Sequence, residues 1–586
     1  MAFNEFVEMS ETRKVSEHAQ KSSIFDKKAN WIVVVLLILL FIQAVTSIKN
    51  KSLTIDELSH LSSGYSYIKT GDFRLNIEAL PLIDMISAFP LLFLDPKLPL
   101  DRTSWMLAKD HESEEQFHWD FGEQFFYEYG NDVDKILFFG RIPMILLSVL
   151  LGFYVFRFAK ELFGVKPGLF ALLLYSFSPN ILAHSRLATI DLGATCFIFI
   201  AVYYFWRFIN DISIKSLIIA GITFGLAQLS KFTALYLFPI YATLTVIVIV
   251  SRKREDVSFF NALFSRKAFM LYGFLFAIFI IGFIIITAGY GFFQFDKYIE
   301  GLVYTVDHSN QGHPNYLLGE HSTQGWGYYF IVAFLIKTPI SVLILMLLSL
   351  LYFKRLRHKN ALADYFLIIP PIVIFSTFFL NHINIGLRHV LPVYPFIFVC
   401  VSRLVNLKKL KWVLVVLGVG YVVSSLMIYP HYLAYFNEFV GPENGYKFLA
   451  DSNVDWGQDL KGLKLWMDEN NVESIRLGYW GKAKPEYRGI YYTQANCYPE
   501  EGLIAVSVNS LVGLSKDRVN CMEWLRGYEP IDNVGYSIYI YDIPAVDPAE
   551  SVEAFCRKEC VRRCEEEGYS YGESSFVNES CDCGCL

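Results

Sequence analysis

The stretch "TIDELSHLSSGYSYIKTGD", residues 54 to 72, begins just after the first long apolar run of the chain has ended. Asp56 and His60 stand four residues apart and so share one face of a helix. A carboxylate in such a place can take the proton of an attacking hydroxyl, and a positioned base is worth roughly 10² to 10⁴ in rate. The same letters also spell a helix start. Thr54 and Glu57 have capping-box spacing, and Asp56 in the first turn favours the helix dipole. Capping and chemistry account for this stretch equally well. A further carboxylate, Glu78, follows in "RLNIEALPL" ahead of Pro81.

Other groupings have the right residue types but the wrong spacing for metal. His308, His313 and His321 lie among acidic residues in "YTVDHSNQGHPNYLLGEHSTQGWGYY", residues 304 to 329, without compact zinc-ligand spacing. An acceptor-binding or lid loop is the preferred reading. "DSNVDWGQD" offers oxygens at Asp451, Asn453, Asp455 and Asp459, yet Trp456 and Gly462 stand where a calcium loop needs Gly and Glu. No metal is expected. Six of the ten cysteines close the chain, Cys556, Cys560 and Cys564 in four-residue steps and Cys581, Cys583 and Cys585 in two-residue steps. The first set stacks on one helix face and the second on one strand face, with rises of about 6 Å and about 6.6 Å. Three helix-to-strand disulfides are expected, as suits a small extracytoplasmic module. A metal or iron-sulfur site is the alternative if the tail is cytosolic. Cys497 and Cys521 are candidates for a fourth bridge, and Asn578-Glu579-Ser580 is an acceptor sequon.

These residues must be positioned by membrane helices. The 586 residues are 54% hydrophobic and only 18% charged, less charge than a soluble chain of this length carries. Several runs approach the roughly 20 apolar residues that span a bilayer. Eleven crossings are predicted, near 31 to 48, 136 to 156, 168 to 182, 190 to 208, 214 to 230, 232 to 250, 268 to 291, 326 to 353, 361 to 380, 390 to 404 and 411 to 429. The first reads as a retained anchor, because it lacks a small-residue cleavage site. Clusters such as Arg252/Lys253/Arg254 and Lys408/Lys409/Lys411 all fall on one side, which the positive-inside bias makes cytoplasmic. Residues 1 to 30 then form a cytoplasmic tail, 31 to 429 the membrane domain with an outer loop at 49 to 135, and 430 to 548 an extracytoplasmic α/β domain. Residues 549 to 586 form the Cys-rich module. "DWGQDLKGLKLWMDEN" has helical periodicity, whereas "SIRLGYW", "GLIAVSV" and "GYSIYIYDI" are strand-like.

The run from Asp56 through "GYSYIKTGDFRLNIEALPLID" resembles the first extracytoplasmic loop of GT-C glycosyltransferases, specifically the protein O-mannosyltransferase-like family (glycosyltransferase family 39-like) and its aminoarabinose transferase relatives. "GRIPM" (140 to 144), "HSRLATID" (184 to 191), "LSKFTALYLFP" (229 to 239), "NIGLRHVLPVYPF" (384 to 396) and "YLAYFNEFVGPENGYKFLADSNVDWGQDL" (432 to 460) follow in the family's order. The resemblance covers roughly residues 31 to 545. It departs at Ile77-Glu78-Ala79-Leu80-Pro81-Leu82, which lacks the histidine and one proline of the family's usual run.

The resemblance implies a polytopic GT-C fold and transfer of a sugar, by default mannose, from a polyprenyl- or dolichyl-phosphate carrier to an acceptor hydroxyl with inversion. The acceptor is a protein, lipid or glycan, the lipid-phosphate sugar is a substrate, and neither cofactor nor metal is implied. Asp56 falls at the family's base position, with Glu57 capping the helix or binding a sugar. His60, Glu78 and Asp191 are candidates for sugar or acceptor binding. Phosphate needs fixed positive charge, and a guanidinium grips two oxygens in a planar fork. Arg141, Arg186, Lys231, Arg388 and His389 lie at outer helix ends and are the candidates; headgroup snorkelling explains each one singly. A multi-pass protein of a prokaryotic cell membrane is expected, or of the endoplasmic reticulum in a eukaryote, with the N-terminus cytoplasmic and the C-terminus extracytoplasmic. Two other readings are a lipid-linked sugar transporter or flippase without transferase activity, and a C-terminal binding module scaffolded by the membrane part. A transporter would gather its polar groups at the bilayer midplane.

Overall fold

A computed structural model describes residues 24–109, 117–252, 257–357, 362–379, 382–514 and 521–545, with 556–557, 560–561, 564, 571–577 and 580–585 of the tail. Most of the expected N-terminal tail and the sequon residues Asn578 and Glu579 lie outside the described residues. The chain divides into two compact units. The first holds Asp56–His313 and Gly325–Gly441 together with the N-terminal helix; the second holds Asn50–Ile55, Pro314–Gln324 and the chain from Pro442 onward.

The first unit is helical. Its elements are α1 (Ile24–Ser47), α2 (Ile55–Thr70), α3 (Pro81–Ala88), α4 (Phe117–Tyr127), α5 (Val133–Phe163), α6 (Val165–Ser176), α7 (Pro179–Ser185), α8 (Ile190–Asn210), α9 (Ile214–Gln228) and α10 (Leu237–Ser251). Then come α11 (Arg266–Gly289), α12 (Phe295–Gln311), α13 (Tyr329–Lys337), α14 (Ile340–Leu351), α15 (Leu362–Phe378), α16 (Val393–Ser402) and α17 (Lys411–Met427). Local sequence sets the ends. Asp132 caps α5 by accepting from the Lys135 N–H at 3.1 Å, and Gly164, at φ 100°, ends it.

Among the described residues six helices are long and apolar enough to cross a membrane: Lys28–Ser47, Val133–Phe163, Ile190–Asn210, Phe232–Ser251, Arg266–Gly289 and Lys408–Met427. Near the expected crossings at 168, 214, 361 and 390 the helices are apolar but of 10–17 residues. Over the expected crossing at 326 to 353 the chain forms a pair of helices, α13 and α14, bent by 109°. Proline is the cause. Pro339 has no N–H to give the helix, and Thr338 before it is extended at ψ 128°. The Lys337 ammonium at the break donates to the Leu433 carbonyl at 2.9 Å and lies 4.7 Å from the Phe436 ring.

Close backbone approach fixes α2, the helix that carries Asp56. A Cβ on Gly64 would fall 2.2 Å from the Asp84 carbonyl oxygen, so only glycine lets α2 and α3 touch. On another side Gly140 of α5 leaves room for the Leu61 side chain, which a Cβ would meet at 2.5 Å. The middle of α2 is thereby held against both α3 and α5.

The second unit contains the hairpin β1 (Asn315–Leu317) and β2 (Glu320–Ser322), and the helix α18 (Leu460–Glu469). Its mixed sheet is built from β3 (Ser474–Gly478), β4 (Tyr491–Gln494), β5 (Gly502–Ser507), β6 (Asp532–Val534) and β7 (Ile538–Ile543) in the order β4-β3-β5-β7-β6. Strand β3 runs parallel to both β4 and β5, while β5 pairs antiparallel with β7, Ala505 opposite Ile540. The three strand-like runs and the helical run read from the sequence thus form an α/β layer.

The segment Asp451 to Asp459 is a buried polar loop that delays the start of α18. Asp455 accepts from the Gly457 N–H at 3.0 Å and the Asn509 N–H at 3.3 Å, while burial pushes its pKa up to about 7. Asp459 pairs with Lys51 and accepts from the Ser537 hydroxyl at 2.7 Å. Protein donors occupy these carboxylates. Cys497 is bonded to Cys521 and Cys556 to Cys581, and Cys560 and Cys564 are also in disulfides. The tail's last strands are β8 (Tyr571–Val577) and β9 (Ser580–Cys585), an antiparallel pair; the Cys583 and Cys585 side chains lie outside the described residues.

Candidate active site

Four segments distant in sequence bring ionisable side chains to one place in the helical unit. Asp56 comes from the first turn of α2 and Asp191 from the first turn of α8. Lys231 precedes the 3-10 turn Phe232–Tyr236, and Arg388 sits in the 3-10 turn Leu387–Val390. Gly386, at φ 151°, supplies the backbone conformation that turns the chain into Arg388.

The charges alternate. Arg388 Nη1 donates to Asp56 Oδ2 at 2.6 Å and lies 3.9 Å from Asp191 Oδ2. Asp191 Oδ1 accepts from Lys231 Nζ at 2.6 Å. Asp191 is buried, whereas the Asp56 side chain keeps 24% of its surface exposed and Lys231 17%. A reachable carboxylate therefore stands beside a guanidinium, with a second cation one carboxylate away. Asp191 spaces the two cations as well as neutralising them.

Two histidines adjoin this group. His184, from α7, has its pKa lowered to about 3, chiefly by burial and then by the cations Arg388, Lys337 and Lys231, against the pull of Asp191. His389 is pushed well below the ordinary imidazole value by burial, with Lys231 and Arg388 adding to it. Both are neutral imidazoles at physiological pH.

His60 behaves in the opposite way. Its Nδ1 lies 2.9 Å from Asp84 Oδ1, and both side chains are buried. Burial alone would lower its pKa, but Asp84, with Asp56 and Asp191 behind it, holds it above the ordinary value. A raised histidine contributes stability that is complete below the unfolded pKa and fades as pH rises through the folded one. The melting-temperature gap between wild type and His60→Gln is accordingly expected to narrow when the pH is raised from about 6 to about 9. A gap that widens over this range would contradict the pairing.

The other expected site residues lie apart from the alternating group. Glu57 is fully buried and grips Arg141 with both oxygens, at 2.7 Å to Nε and 2.6 Å to Nη2, and it also accepts from the Ala188 N–H at 2.9 Å. Arg186 directs Nη1 to the carbonyls of Ser47 and Pro430, at 2.6 and 2.8 Å. Glu78 is on an exposed turn with His308 Nδ1 at 3.6 Å. Partial burial pushes its pKa up, but His308, His118 and Tyr304 outweigh it and hold the pKa down to about 2. His308 lies in the last turn of α12, and its ring stacks with that of His313.

Sequence reasoning passed over Asp84 and His184. Asp84 is a lone carboxylate in the apolar run "PLIDMIS", and a charge in such a run is itself a signal. His184 opens the "HSRLATID" motif but has no neighbouring partner in sequence.

Residues 133–286 match the family model described as dolichyl-phosphate-mannose-protein mannosyltransferase. This segment carries Arg141, Arg186, Asp191 and Lys231. No curated protein matches the chain. Among solved structures, ArnT from Cupriavidus metallidurans in the apo state aligns at 12% identity over 88% of this chain and 98% of that one, TM-score 0.47. The apo oligosaccharyltransferase of Archaeoglobus fulgidus aligns at 11% over 87% and 73%, TM-score 0.44. The S. cerevisiae Pmt1-Pmt2 complex bound to the sugar donor aligns at 16% over 46% and 34%, TM-score 0.31. Likeness at these scores assigns no residue a role. The family match is a likeness of the segment 133–286 to dolichyl-phosphate-mannose-protein mannosyltransferases.

Proposed function

We propose that the protein transfers a sugar, mannose by default, from a polyprenyl-phosphate carrier to an acceptor hydroxyl at the extracytoplasmic membrane face. The Asp56–Arg388–Asp191–Lys231 group carries this reading. The family description names a dolichyl-phosphate-mannose donor and a protein acceptor for its members, and the resemblance of the outer-loop motifs agrees with it.

The reaction uses each member. Asp56, the more accessible carboxylate, takes the acceptor hydroxyl proton as the oxygen attacks the anomeric carbon. The bond from that carbon to the carrier phosphate breaks on the opposite side, its electron pair leaves on the phosphate, and the configuration inverts. Arg388 and Lys231 face the phosphate and offset the charge that develops on it. Asp191 holds the two cations at fixed spacing without reaching the substrate. Arg141 and Arg186 are taken up by Glu57 and by the Ser47 and Pro430 carbonyls and support the helices rather than the substrate.

The deciding experiment incubates the purified protein with radiolabelled polyprenyl-phosphate mannose, other hexose donors and candidate acceptors. Label is expected to move to an acceptor, and release of label only as free sugar or unchanged lipid would sink the reading. Arg388→Lys keeps the charge but loses the planar fork. One hydrogen bond of about 1.4 kcal/mol corresponds to about a tenfold fall in kcat/KM, and an unchanged value would remove Arg388 from the site.

A further inference from the structure

The α/β unit has a cavity that the transfer reaction does not use. It measures about 250 Å³ and is lined by Gly478, Tyr479, Trp480, Gln494, Ser510 and Met522, with Gly513 and Cys521 beside them. Gly478 is the last residue of β3, Gln494 the last of β4, and Ser510 follows β5 by three positions. The cavity therefore opens at the carboxyl ends of the three parallel strands.

Topology makes this position meaningful. From β3 the chain moves to β4 on one side, then crosses back to place β5 on the other, so the strand order reverses between β3 and β5. The loops leaving β3 and β5 diverge there and leave a crevice, the general ligand position in open α/β sheets. Residues after β3 and β5 form its two walls. The Cys497–Cys521 disulfide ties the chain after β4 to the wall that carries Met522.

The lining defines the ligand chemistry. Among the described residues the lining is uncharged. Two aromatic residues, Tyr479 and Trp480, stand with an exposed amide, Gln494, and a hydroxyl, Ser510. The Tyr479 hydroxyl is occupied, donating to the Gly457 carbonyl at 2.8 Å, which anchors its ring. Aromatic faces suit the C–H faces of a pyranose, and an amide with a hydroxyl suits its ring hydroxyls. The volume lies just below the usual range of about 300–1,000 Å³ for ligand sites, the size class of a single small molecule.

We propose that this crevice binds one unit of a neutral saccharide, through Trp480 and Gln494. The inference stands apart from the transferase reading, because binding here involves no donor lipid and no transfer. The full-length protein in detergent is titrated with methyl α-mannoside, methyl α-glucoside and methyl N-acetyl-β-glucosaminide, and saturation-transfer NMR reads the Kd of each. At least one is expected to bind saturably. Loss of one hydrogen bond of about 1 kcal/mol raises Kd about fivefold in Gln494→Ala, with a larger rise in Trp480→Ala. Asp56→Asn leaves the Kd unchanged. Gln494 is exposed, so its variant remains informative even if Trp480→Ala does not fold. The proposal is overturned if none of the three glycosides binds, if Gln494→Ala binds as tightly as wild type, or if Asp56→Asn abolishes the signal.

Discussion

Asp56→Asn should transfer sugar roughly 10² to 10⁴ times more slowly than wild type, the range that a positioned general base supplies. Asparagine keeps the volume and the α2 position but cannot accept the hydroxyl proton. The cost in stability should stay below that of breaking a fully buried pair, since Asp56 keeps 24% of its surface exposed and Asp191, 3.9 Å from Arg388, remains to face the guanidinium. The complication is Arg388, whose Nη1 the same carboxylate holds at 2.6 Å. An Asp56 that only aims Arg388 would also slow the reaction when removed. A double-mutant cycle separates the two roles. If Asp56 merely positions the guanidinium, Asp56→Asn has no further effect in an Arg388→Gln background. If it is the base, most of the loss persists there. Initial rates of label transfer at saturating donor, measured on variants with wild-type melting temperatures, decide between them.

The sequence announced this group only in pieces. Asp56, Asp191, Lys231 and Arg388 each sit beside an apolar run, and a charge at a membrane edge is costly unless paired or functional. Their partners were invisible, because Arg388 meets a carboxylate 332 residues away in sequence. Pairing of that kind depends on how helix ends converge, which periodicity does not encode. Glu57 and Arg141 show the same limit: "TIDE" reads as a local cap, but burial against α5 engages the Glu57 carboxylate 84 residues further on. Fold was more legible where a signal is local. Strand-like runs marked β3, β5 and β7, and basic clusters marked helix ends. The bend within 326 to 353 was hidden by the apolar letters around Pro339, whose missing N–H breaks the helix there. Asp84 and His60 were brought together by Gly64, a residue whose role lies in what it lacks.

Arg141→Met is the second large effect, and it falls on stability. The Glu57 carboxylate is fully buried and the Arg141 side chain is 2% exposed, so removing the guanidinium strands a charge in a low-dielectric interior. Breaking one partner of such a pair costs about 3–5 kcal/mol, whereas replacing both partners by neutral groups is often near neutral. The single variant should melt far below wild type or fail to accumulate, and Glu57→Gln with Arg141→Met should recover most of the loss. The Ala188 N–H, which Glu57 accepts in the wild type, can still donate to the amide oxygen that the Glu57→Gln change leaves in place, so its own bond need not be forfeited. A phosphate-binding Arg141 predicts a different result. The single variant would then melt normally and show a raised KM for the lipid donor, and adding Glu57→Gln would rescue nothing. Melting temperature and donor KM, measured on the two variants side by side, distinguish a guanidinium that supports α2 from one that grips substrate. Support of α2 is also what aims Asp56, so the double variant should regain activity along with its fold.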